Sequence, residues 1–542
     1  MIGYNCKYSP VELLNVFEET NLINNSAEQF EYSQSAMHPN ICSHVKALLE
    51  DIHDKSYSKV LLMNCCDSSR RLSDVLMGNN LLGHKMMDLP IETKGCAVIK
   101  LKNDLLDLIR ELEEAYNKPF DRASFLKNFD EAQELSFPKE EYVLLLGARS
   151  NPKLVSTISA KVDRLTVDMT CANNRSVSSH GMSKDDSLEE LMEKYAQALL
   201  DQVPCMRMSD INGRKYLLNN ENCIGIIYHT VKFCDYYDYE FSKLKDMGIP
   251  ILKIETDFTS QAYGQIATRI EGFAETLSEK GNRVMEINKN GKYYAGIDSG
   301  STSTELIILD EKKNIVKSVM VRTGANAGLG ARKAMEQSGI KVDDIKAIVA
   351  TGYGRNNIDF ANNSVTEITC HAKGAKFLYP KVETIIDIGG QDSKVITLDK
   401  NGSIANFVMN DKCAAGTGRF LENMSKVLEI DMDTMAASGT DYKTDLTIYS
   451  MCTVFAESEV VSLIAENYSV ADIVHGLNKS VATKTKALAR NAVDSKGVMM
   501  TGGVANNSGV VAELKKQLNT DIFIPENPEF CGALGAALIA AE

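Results

Sequence analysis

Two cysteines in the C-terminal half of the chain stand just ahead of predicted helices. Cys413 lies in the segment NDKCAAGTGRF, whose glycines lead into a helical run, and Cys452 lies in SMCTVFAESE, which is helical from Thr453 onward. A cysteine at a helix N-terminus has a lowered pKa, because the helix dipole favours the thiolate. Phosphate transfer has no use for thiolates, whereas a redox protein uses them as soft metal ligands. These two positions therefore predict redox chemistry.

An internal repeat in the same half predicts two glycine turns that bind phosphate. The segment IDSGST, followed by IILD, recurs as IDIGGQ, followed by VITLD. The two copies align without a gap, so that Asp298 corresponds to Asp387. Each copy predicts a strand, a tight turn and a returning strand. Two such hairpins facing each other would form a nucleotide cleft between two lobes. Glycines let the backbone approach phosphates, and the free N–H groups of the turns bind the anion.

Side chains in and after these turns complete the predicted nucleotide site. Asp298 and Asp387 suit Mg²⁺, since hard cations take carboxylate oxygens, and Gln391 joins them as a candidate catalytic residue. A third glycine segment, TGGVANN, follows an apolar run and precedes a helix, which fits an adenosine and phosphate pocket. The candidate contacts to the nucleotide are Gly300, Ser301, Thr302, Ser303, Gly389, Gly390, Gly502, Gly503 and Asn506.

The bulk composition is that of a folded globular protein with several domains. A chain of 542 residues predicts two to four domains, and no apolar run reaches the length of a membrane span. A net charge of −14 argues against nucleic acid or an anionic membrane as the main partner. No signal peptide is recognised, so the expected compartment is the cytoplasm, where the 13 cysteines are not expected to form disulfides. Core packing is expected for Cys6, Cys96, Cys223, Cys370 and Cys531.

Residues 1–277 and 293–542 are predicted to be separate units, joined by a charged, Gly- and Asn-rich linker over 278–292. The first unit alternates helical patterns with short apolar runs, such as those at 142–147 and 249–254. That alternation predicts parallel sheets built from βα units, arranged as two Rossmann-like subdomains. The expected fold class is therefore α/β.

Several segments of the C-terminal half match one protein family. They are GIDSGSTST, TGYGR, EITCHAKGA, DIGGQDSK, both cysteine segments and the terminal GALGAA. On these segments residues 294–540 resemble the 2-hydroxyacyl-CoA dehydratase activators, ATP-dependent reductases grouped with benzoyl-CoA reductase ATPase subunits. The resemblance implies the two-lobed fold of acetate kinases, sugar kinases, heat-shock proteins and actin. It also implies a homodimer with one bridging 4Fe–4S cluster, held by Cys413 and Cys452 of each chain. Two thiolates cannot complete a four-cysteine cluster, so a twofold dimer completes it.

The helices after Cys413 and Cys452 cannot by themselves make a strongly reducing cluster. A helix dipole is worth roughly 0.3–1 kcal/mol, and about 59 mV corresponds to about 1.4 kcal/mol for one electron. Dipoles therefore shift a potential by only tens of millivolts, whereas a push of about 300 mV requires about 7 kcal/mol. We expect a nucleotide-driven change in geometry or solvent access around the two cysteines to supply this energy.

The N-terminal half carries the cysteine segments of a second family. NCCDSSRR, PCMRM and KFCD, together with IETD and GQIATR, resemble the D-component of 2-hydroxyglutaryl-CoA dehydratases and, within it, the double-cubane cluster proteins. This resemblance implies iron–sulfur binding where two subdomains meet. The candidate ligands are Cys42, Cys65, Cys66, Cys171, Cys205 and Cys234.

Two cluster arrangements remain open for these thiols. Three cysteines from each subdomain suit two cubanes joined through a shared sulfide, which gives about ten irons per chain with half of the bridging cluster. A single 4Fe–4S cluster needs only Cys42, Cys66 and Cys234 and gives about six irons. The other three cysteines would then pack in the core. His229 and His371 are expected to be ordinary hydrogen-bonded side chains rather than further ligands.

Together these expectations describe a self-contained, oxygen-sensitive reductase. ATP is hydrolysed in the C-terminal half, and electrons pass through the bridging cluster into the N-terminal clusters for a difficult reduction. The resemblance implies a ferredoxin or flavodoxin as electron donor. Activator and acceptor usually reside on separate chains, and only one of the two dehydratase components is matched here. The alternatives are activation of a separate dehydratase, a kinase of the same nucleotide fold with inert cysteines, and an ATP-switched scaffold.

Overall fold

The computed structural model describes two compact units, Met1–Ile270 and Glu271–Glu542. Cys413, Cys452 and most of the predicted linker over 278–292 lie outside the described residues. The structure describes every residue of the chain except 28, 79–82, 130–136, 219, 245–248, 259–262, 278–287, 289, 411–413, 449–452 and 491–495.

The first unit contains two sheets of four parallel strands each. The strands of the first sheet are β1 (Ile2–Tyr4), β2 (Thr20–Leu22), β3 (Lys59–Asn64) and β4 (His84–Asp88). Those of the second sheet are β5 (Tyr142–Gly147), β6 (Leu165–Asp168), β7 (Cys223–Val231) and β8 (Ile251–Thr256). Their spatial orders are β2-β1-β3-β4 and β6-β5-β7-β8. The prediction of two parallel sheets built from apolar runs is confirmed.

Helices follow the strands of this unit, as βα connections require. The helix over Leu188–Leu200 begins at a capping box, in which Ser187 and Glu190 exchange side-chain-to-backbone hydrogen bonds. The described helices are α1 (Val11–Leu14), α2 (Glu31–Ala36), α3 (Ser43–Asp54), α4 (Asp67–Gly78), α5 (Cys96–Tyr116), α6 (Arg122–Lys127), α7 (Pro152–Lys161), α8 (Leu188–Leu200), α9 (Asp235–Leu244) and α10 (Tyr263–Leu277).

In the second unit the described strands form two five-stranded sheets with the same strand order. The first copy has β9 (Tyr293–Ser299), β10 (Ser303–Leu309), β11 (Ile315–Arg322), β12 (Ile345–Thr351) and β13 (Asn363–Ser364). The second copy has β14 (Thr384–Ile388), β15 (Ser393–Leu398), β16 (Ile404–Asn410), β17 (Val498–Thr501) and β18 (Ile522–Phe523). The orders β11-β10-β9-β12-β13 and β16-β15-β14-β17-β18 correspond strand for strand. Each copy begins with an antiparallel hairpin, β9–β10 or β14–β15, so the predicted repeat is confirmed.

Helices lie between and after these strands of the second unit. They are α11 (Ala327–Ser338), α12 (Glu367–Leu378), α13 (Gly418–Val427), α14 (Met432–Ser438), α15 (Thr453–Ala465), α16 (Val470–Leu488), α17 (Ser508–Leu518) and α18 (Cys531–Ala540). Helices α12 and α18 pack closely against each other at Gly535. A Cβ atom at this position would lie 1.7 Å from the Cys370 carbonyl oxygen, so the contact requires glycine. This close approach fixes the side chains of α12 against the cleft.

The cysteines predicted to pack in the core follow that prediction with one exception. Cys6, Cys223, Cys370 and Cys531 are buried. Cys96 is exposed, so its prediction was wrong, because it begins helix α5 at the surface. None of the helices in the described part of the chain is both long and apolar enough to cross a bilayer.

Candidate nucleotide cleft and thiol sites

A cleft of about 410 Å³ lies in the second unit between the turns of the two hairpins. This volume falls in the range of small-molecule sites. Gln391 is exposed and is not among the described residues that line the cleft. The predicted residues that do line it are Asp298, Gly300, Ser301, Thr302, Ser303, Asp387, Gly389, Gly390, Gly502, Gly503 and Asn506.

Lys394 provides a buried positive charge at the floor of the cleft. Its Nζ lies 2.6 Å from Glu367 Oε2 and 2.9 Å from Asp392 Oδ2. It also lies 3.3 Å from Asp387 Oδ2. Burial alone would lower the pKa of Lys394, but these carboxylates raise it well above its ordinary value. Lys394 is therefore a permanent cation at neutral pH.

Asp387, the aspartate of the second repeat, is held as a carboxylate. Burial opposes its ionisation, but His371 and Lys394 outweigh burial, so the pKa of Asp387 is lowered. Thr501 Oγ1 adds a hydrogen bond to Asp387 Oδ1 at 2.9 Å. His371 Nδ1 lies 3.6 Å from the same oxygen. This carboxylate is thus fixed in both charge and orientation.

Asp298, the aspartate of the first repeat, has the opposite surroundings. Burial, followed by the charges of Glu367 and Glu305, raises the pKa of Asp298 to about 8. His371 Nε2 approaches its Oδ2 atom only to 3.8 Å. Glu367 Oε1 is buried and has no hydrogen-bond partner among the described residues. The carboxylate oxygens on this side of the cleft therefore favour a divalent cation.

The repeat places residues of opposite charge at matching positions. Glu305 lies opposite Asp298 in the first hairpin, and Lys394 lies opposite Asp387 in the second. Burial raises the pKa of Glu305 to about 7. Among the described residues, the second hairpin thus has the cation Lys394 beside its aspartate, whereas the first hairpin has the acid Glu305 beside its aspartate.

Backbone and side-chain hydrogen bonds join the second phosphate turn to the segment that follows Cys413. They run from Gly418 N–H to the Gly389 carbonyl (2.9 Å), from Arg419 N–H to the Gly390 carbonyl (2.8 Å) and from Ser393 Oγ to the Gly416 carbonyl (2.7 Å). The first turn of α13, beginning at Gly418, also lines the cleft. The phosphate turn and the backbone after Cys413 are therefore mechanically connected.

The helices that follow Cys413 and Cys452 share one hydrophobic core. Phe420 of α13 and Ala456 of α15 belong to the same buried cluster. The helix after each cysteine was predicted, and both predictions are confirmed.

Helix α15 also carries an exposed apolar face. Val454 is 67% exposed and Phe455 is 68% exposed, two and three residues after Cys452. Val461 and Ile464, at 53% and 44%, lie on the same solvent-facing half of the helix, which also exposes Glu457. An exposed apolar patch of this kind marks an interaction surface. We refer to the four apolar side chains as the α15 face.

In the first unit, three predicted ligands form one thiol set, and each stands directly before a helix. Cys42 precedes α3, Cys66 precedes α4 and Cys234 precedes α9. The three thiols act on one another electrostatically. Burial, with the neighbouring thiols, raises the pKa of Cys42 to about 11 and that of Cys234 to about 12. We call Cys42, Cys66 and Cys234 the first thiol set.

Cys171 and Cys205 form a second group of interacting thiols. The hydroxyl of Tyr237 lies 4.0 Å from Cys205 Sγ and also interacts with Cys171. Within the pair the Cys171 thiol stabilises the Cys205 thiolate, and the pKa of Cys205 is lowered to about 5. Of these two thiols, Cys205 is therefore the one that ionises first.

Cys6 lies beside these groups, although the sequence assigned it to ordinary core packing. Its thiol interacts with that of Cys65. It also shares charged neighbours with Cys171 and Cys205, since all three thiols act on Lys7. We call Cys6, Cys171 and Cys205 the second thiol set.

The thiols are not gathered around a single point. Within the described part of the chain, no three His, Cys, Asp or Glu side chains are placed to hold one metal ion. A cubane spreads its thiolates over several irons, so thiols on separate loops suit its donor requirements. The sulfur donors of the first unit and the burial of their surroundings therefore fit a cubane cluster.

Sequence reasoning missed several residues that lie in these sites. Lys394 and Glu367 fall inside segments that were matched as motifs, but no role was assigned to them. The signal for Glu305 and Lys394 was the repeat itself, since both stand seven positions after the repeat aspartate. His229 and His371 were expected to be hydrogen-bonded side chains. His229 bonds to Ala148 O and Thr256 Oγ1, and His371 Nδ1 lies 3.5 Å from Thr501 Oγ1. His371 also lies between the two aspartates of the cleft.

The duplicated sheet with a cleft between its hairpins defines the two-lobed ATPase fold of actin, sugar kinases and heat-shock proteins. The fold class predicted for the chain is confirmed. The model of the BadF/BadG/BcrA/BcrD ATPase family matches residues 295–540. The model of the 2-hydroxyglutaryl-CoA dehydratase D-component matches residues 6–137 and 142–277.

Two curated relatives match the second unit over nearly their whole length. The 2-hydroxyisocaproyl-CoA dehydratase activator of Clostridioides difficile is 44% identical over 252 residues, which are 46% of this chain and 94% of the relative. The activator of lactoyl-CoA dehydratase of Anaerotignum propionicum is 49% identical over 253 residues, which are 46% and 98%. The chain therefore belongs to the BadF/BadG/BcrA/BcrD ATPase family, whose activators it resembles through its C-terminal half.

A solved structure also aligns with the second unit. It is the activator of the 2-hydroxyisocaproyl-CoA dehydratase from Clostridium difficile with bound ADPNP, at 44% identity and a TM-score of 0.45. The alignment covers 46% of this chain and 94% of that one.

Proposed function

We propose that this chain is an ATP-driven iron–sulfur reductase. ATP hydrolysis in residues 293–542 drives electrons from a 4Fe–4S cluster, shared by two copies of the chain, into an iron–sulfur group in residues 1–277. The observation that carries this proposal is the hydrogen-bonded connection between the second phosphate turn and the backbone after Cys413. A site that only transferred phosphate would have no need to connect its turn to a thiol.

The cleft supplies the groups that ATP hydrolysis needs. The glycine turns present backbone N–H groups to the phosphates. Asp298 and Glu305 offer oxygens to Mg²⁺ on the side of the cleft where the negative charge is uncompensated. Asp387, kept ionised by Lys394, can accept a hydrogen bond from a water that attacks the phosphate. When bound, Mg²⁺ would neutralise phosphate charge.

The thiolates of Cys413 and Cys452 would hold the bridging cluster at the ends of α13 and α15. A change at Gly389 and Gly390 on loss of the terminal phosphate moves the first turn of α13, because backbone hydrogen bonds join them. Since α13 and α15 share a core, the two helices move together. The surroundings of the two cysteines then change with the nucleotide. This change would supply the energy for a strongly reducing cluster, which helix dipoles are too weak to provide.

The α15 face supports a homodimer. It begins two residues after Cys452 and exposes four large apolar side chains. In a twofold contact the same face meets itself, which brings the Cys452 residues of two copies to one axis. A large apolar side chain as exposed as Phe455 is expected where a partner molecule covers it.

The first unit is the acceptor. Its thiol sets come from loops of both parallel sheets, and their donor chemistry fits iron–sulfur groups. A ferredoxin or flavodoxin would reduce the bridging cluster. A second function, activation of a separate dehydratase, is favoured by the relatives of the second unit, which are named as dehydratase activators. The presence of thiols in the first unit favours internal transfer.

Ser393→Ala tests the connection between nucleotide and cluster. The hydroxyl of Ser393 is buried and donates to Gly416, and loss of one such bond costs about 1 kcal/mol. We expect the ATP-induced change in the rate of iron removal by a chelator to shrink about fivefold, with little change in ATP affinity.

Ser425→Ala is the matched control, because its hydroxyl bonds to Glu422 O within α13. It should leave the ATP effect intact. If Ser393→Ala also responds to ATP as the unaltered protein does, the connection does not transmit the nucleotide state and the proposal loses its main support.

A further inference from the structure

Two cations of the first unit, the buried Lys7 and the partly buried Arg149, have no carboxylate partner among the described residues. Lys7 is 2% exposed, and its Nζ donates to Asn174 Oδ1 at 2.7 Å and to the Val203 carbonyl. Arg149 Nη1 is buried and has no hydrogen-bond partner in the described part of the chain. Neither side chain forms an ion pair with a described residue. An uncompensated buried charge is costly, so the fold needs an anion here.

Other buried cations of the unit show the usual solution. Arg175 binds Glu12 through both guanidinium ends, at 2.7 and 2.8 Å. Arg214 pairs with Glu240 in the same bidentate way. Lys7 and Arg149 lack such carboxylate partners among the described residues, as does Lys46, which donates to the Pro39 carbonyl instead.

The groups around the two cations are the thiols of the second set. Burial most strongly lowers the pKa of Lys7, and among the thiols Cys205, then Cys171 and then Cys6 oppose that shift. Arg149 has Cys171 as its foremost charged neighbour. Hydrogen bonds agree with this placement, because Asn174 stands three residues after Cys171 and Val203 two residues before Cys205.

Asp51 does not replace the missing anion at Arg149. It attracts Arg149 less strongly than Cys171 does. Its carboxylate already accepts hydrogen bonds from Tyr57 Oη and Asn24 N–H, and it pairs with Lys55 at 2.8 Å.

We propose that Lys7 and Arg149 are the counter-charges of an anionic iron–sulfur group held by Cys6, Cys171 and Cys205. This inference rests on the proposed function. Reduction adds one electron, delivered from the bridging cluster, and makes the group more negative. Positive charges at Lys7 and Arg149 stabilise that reduced form, because net charge and burial set cluster potentials. The two cations therefore make the group at the second set easier to reduce than it would be without them.

The test is a redox titration of the anaerobically purified full chain, followed by electron paramagnetic resonance. Lys7→Met and Arg149→Met should each lower the reduced-to-oxidised ratio of one transition at least tenfold at fixed potential, or about 59 mV for one electron. The same transition should be lost in Cys171→Ala. The transition that depends on Cys42 should not move.

Two controls separate charge from packing. Arg149→Lys keeps the positive charge and should titrate like the unaltered protein. Lys184→Met removes an exposed lysine of the same unit and should change nothing. Unchanged potentials in both Lys7→Met and Arg149→Met, at full iron content, would overturn the inference. Should Lys7→Met fail to fold, Arg149→Met decides alone.

Iron content tells this inference apart from the function on which it rests. About ten irons per chain fit iron at both thiol sets, and about six leave the second set empty and overturn the inference alone. A chain that binds no iron overturns the proposed function itself.

Discussion

Cys413→Ala and Cys452→Ala should each abolish the bridging cluster completely. Two thiolates from each chain leave no spare ligand, so loss of one cysteine per chain removes half of the donor set. Iron content should fall from about ten to about eight per chain. Electron transfer into the first unit should stop, whereas ATP should still bind, because the glycine turns and repeat aspartates that line the cleft are unchanged.

Cys370→Ala is the matched control for these variants. Cys370 is a fully buried cysteine of the same unit, set on α12. Its replacement should cost some stability and no iron. Phe455→Asp tests the dimer separately, since a charge on the α15 face should yield monomers that lack only the bridging cluster. Retention of all iron by Cys413→Ala and Cys452→Ala would contradict the assignment.

Asp298→Asn and Asp387→Asn should both reduce ATP hydrolysis at least about 100-fold, yet change stability in different ways. Asp298→Asn removes a proposed Mg²⁺ ligand and Asp387→Asn removes the proposed acceptor for the attacking water, and either loss removes several kcal/mol of transition-state stabilisation. In Mg²⁺-free buffer at pH 7, Asp298→Asn should leave the free energy of unfolding unchanged or raise it, because burial raises the pKa of Asp298 to about 8 and ionisation is disfavoured.

Asp387→Asn should instead lower the free energy of unfolding by about 2 kcal/mol, since it removes the charge-assisted contact to Lys394, which keeps Glu367 and Asp392 as partners. Chemical denaturation of both variants, beside ATPase assays with saturating Mg²⁺, checks the contrast. Equal stability losses in the two variants would show that the repeat aspartates do not differ in charge environment.

The sequence was sufficient for the features that depend on local pattern. The ungapped offset between Asp298 and Asp387 predicted two hairpins, and both are present. The glycines of the turns were correctly placed around one cleft. Short apolar runs in the first unit were enough to predict its parallel sheets, because buried parallel strands are apolar on both faces.

Features that depend on packing between distant segments were not predictable in this way. Glu367 meets Lys394 only because α12 packs tightly against α18, and no spacing in the sequence encodes that approach. Cys6 appeared to be an isolated residue near the N-terminus, yet it follows the end of β1 and its thiol interacts with that of Cys65. Cys96 lacked any signal that its helix would begin at the surface.

The most direct test of the account is single-turnover electron transfer in the pre-reduced dimer, followed by freeze-quench electron paramagnetic resonance. With MgATP, we predict that the bridging cluster is oxidised as the iron–sulfur group of the first unit is reduced, at the rate of ATP hydrolysis. With no nucleotide, or with a non-hydrolysable ATP analogue, the electron should stay on the bridging cluster. Equally fast transfer under all three conditions would contradict the claim that ATP hydrolysis drives the reduction.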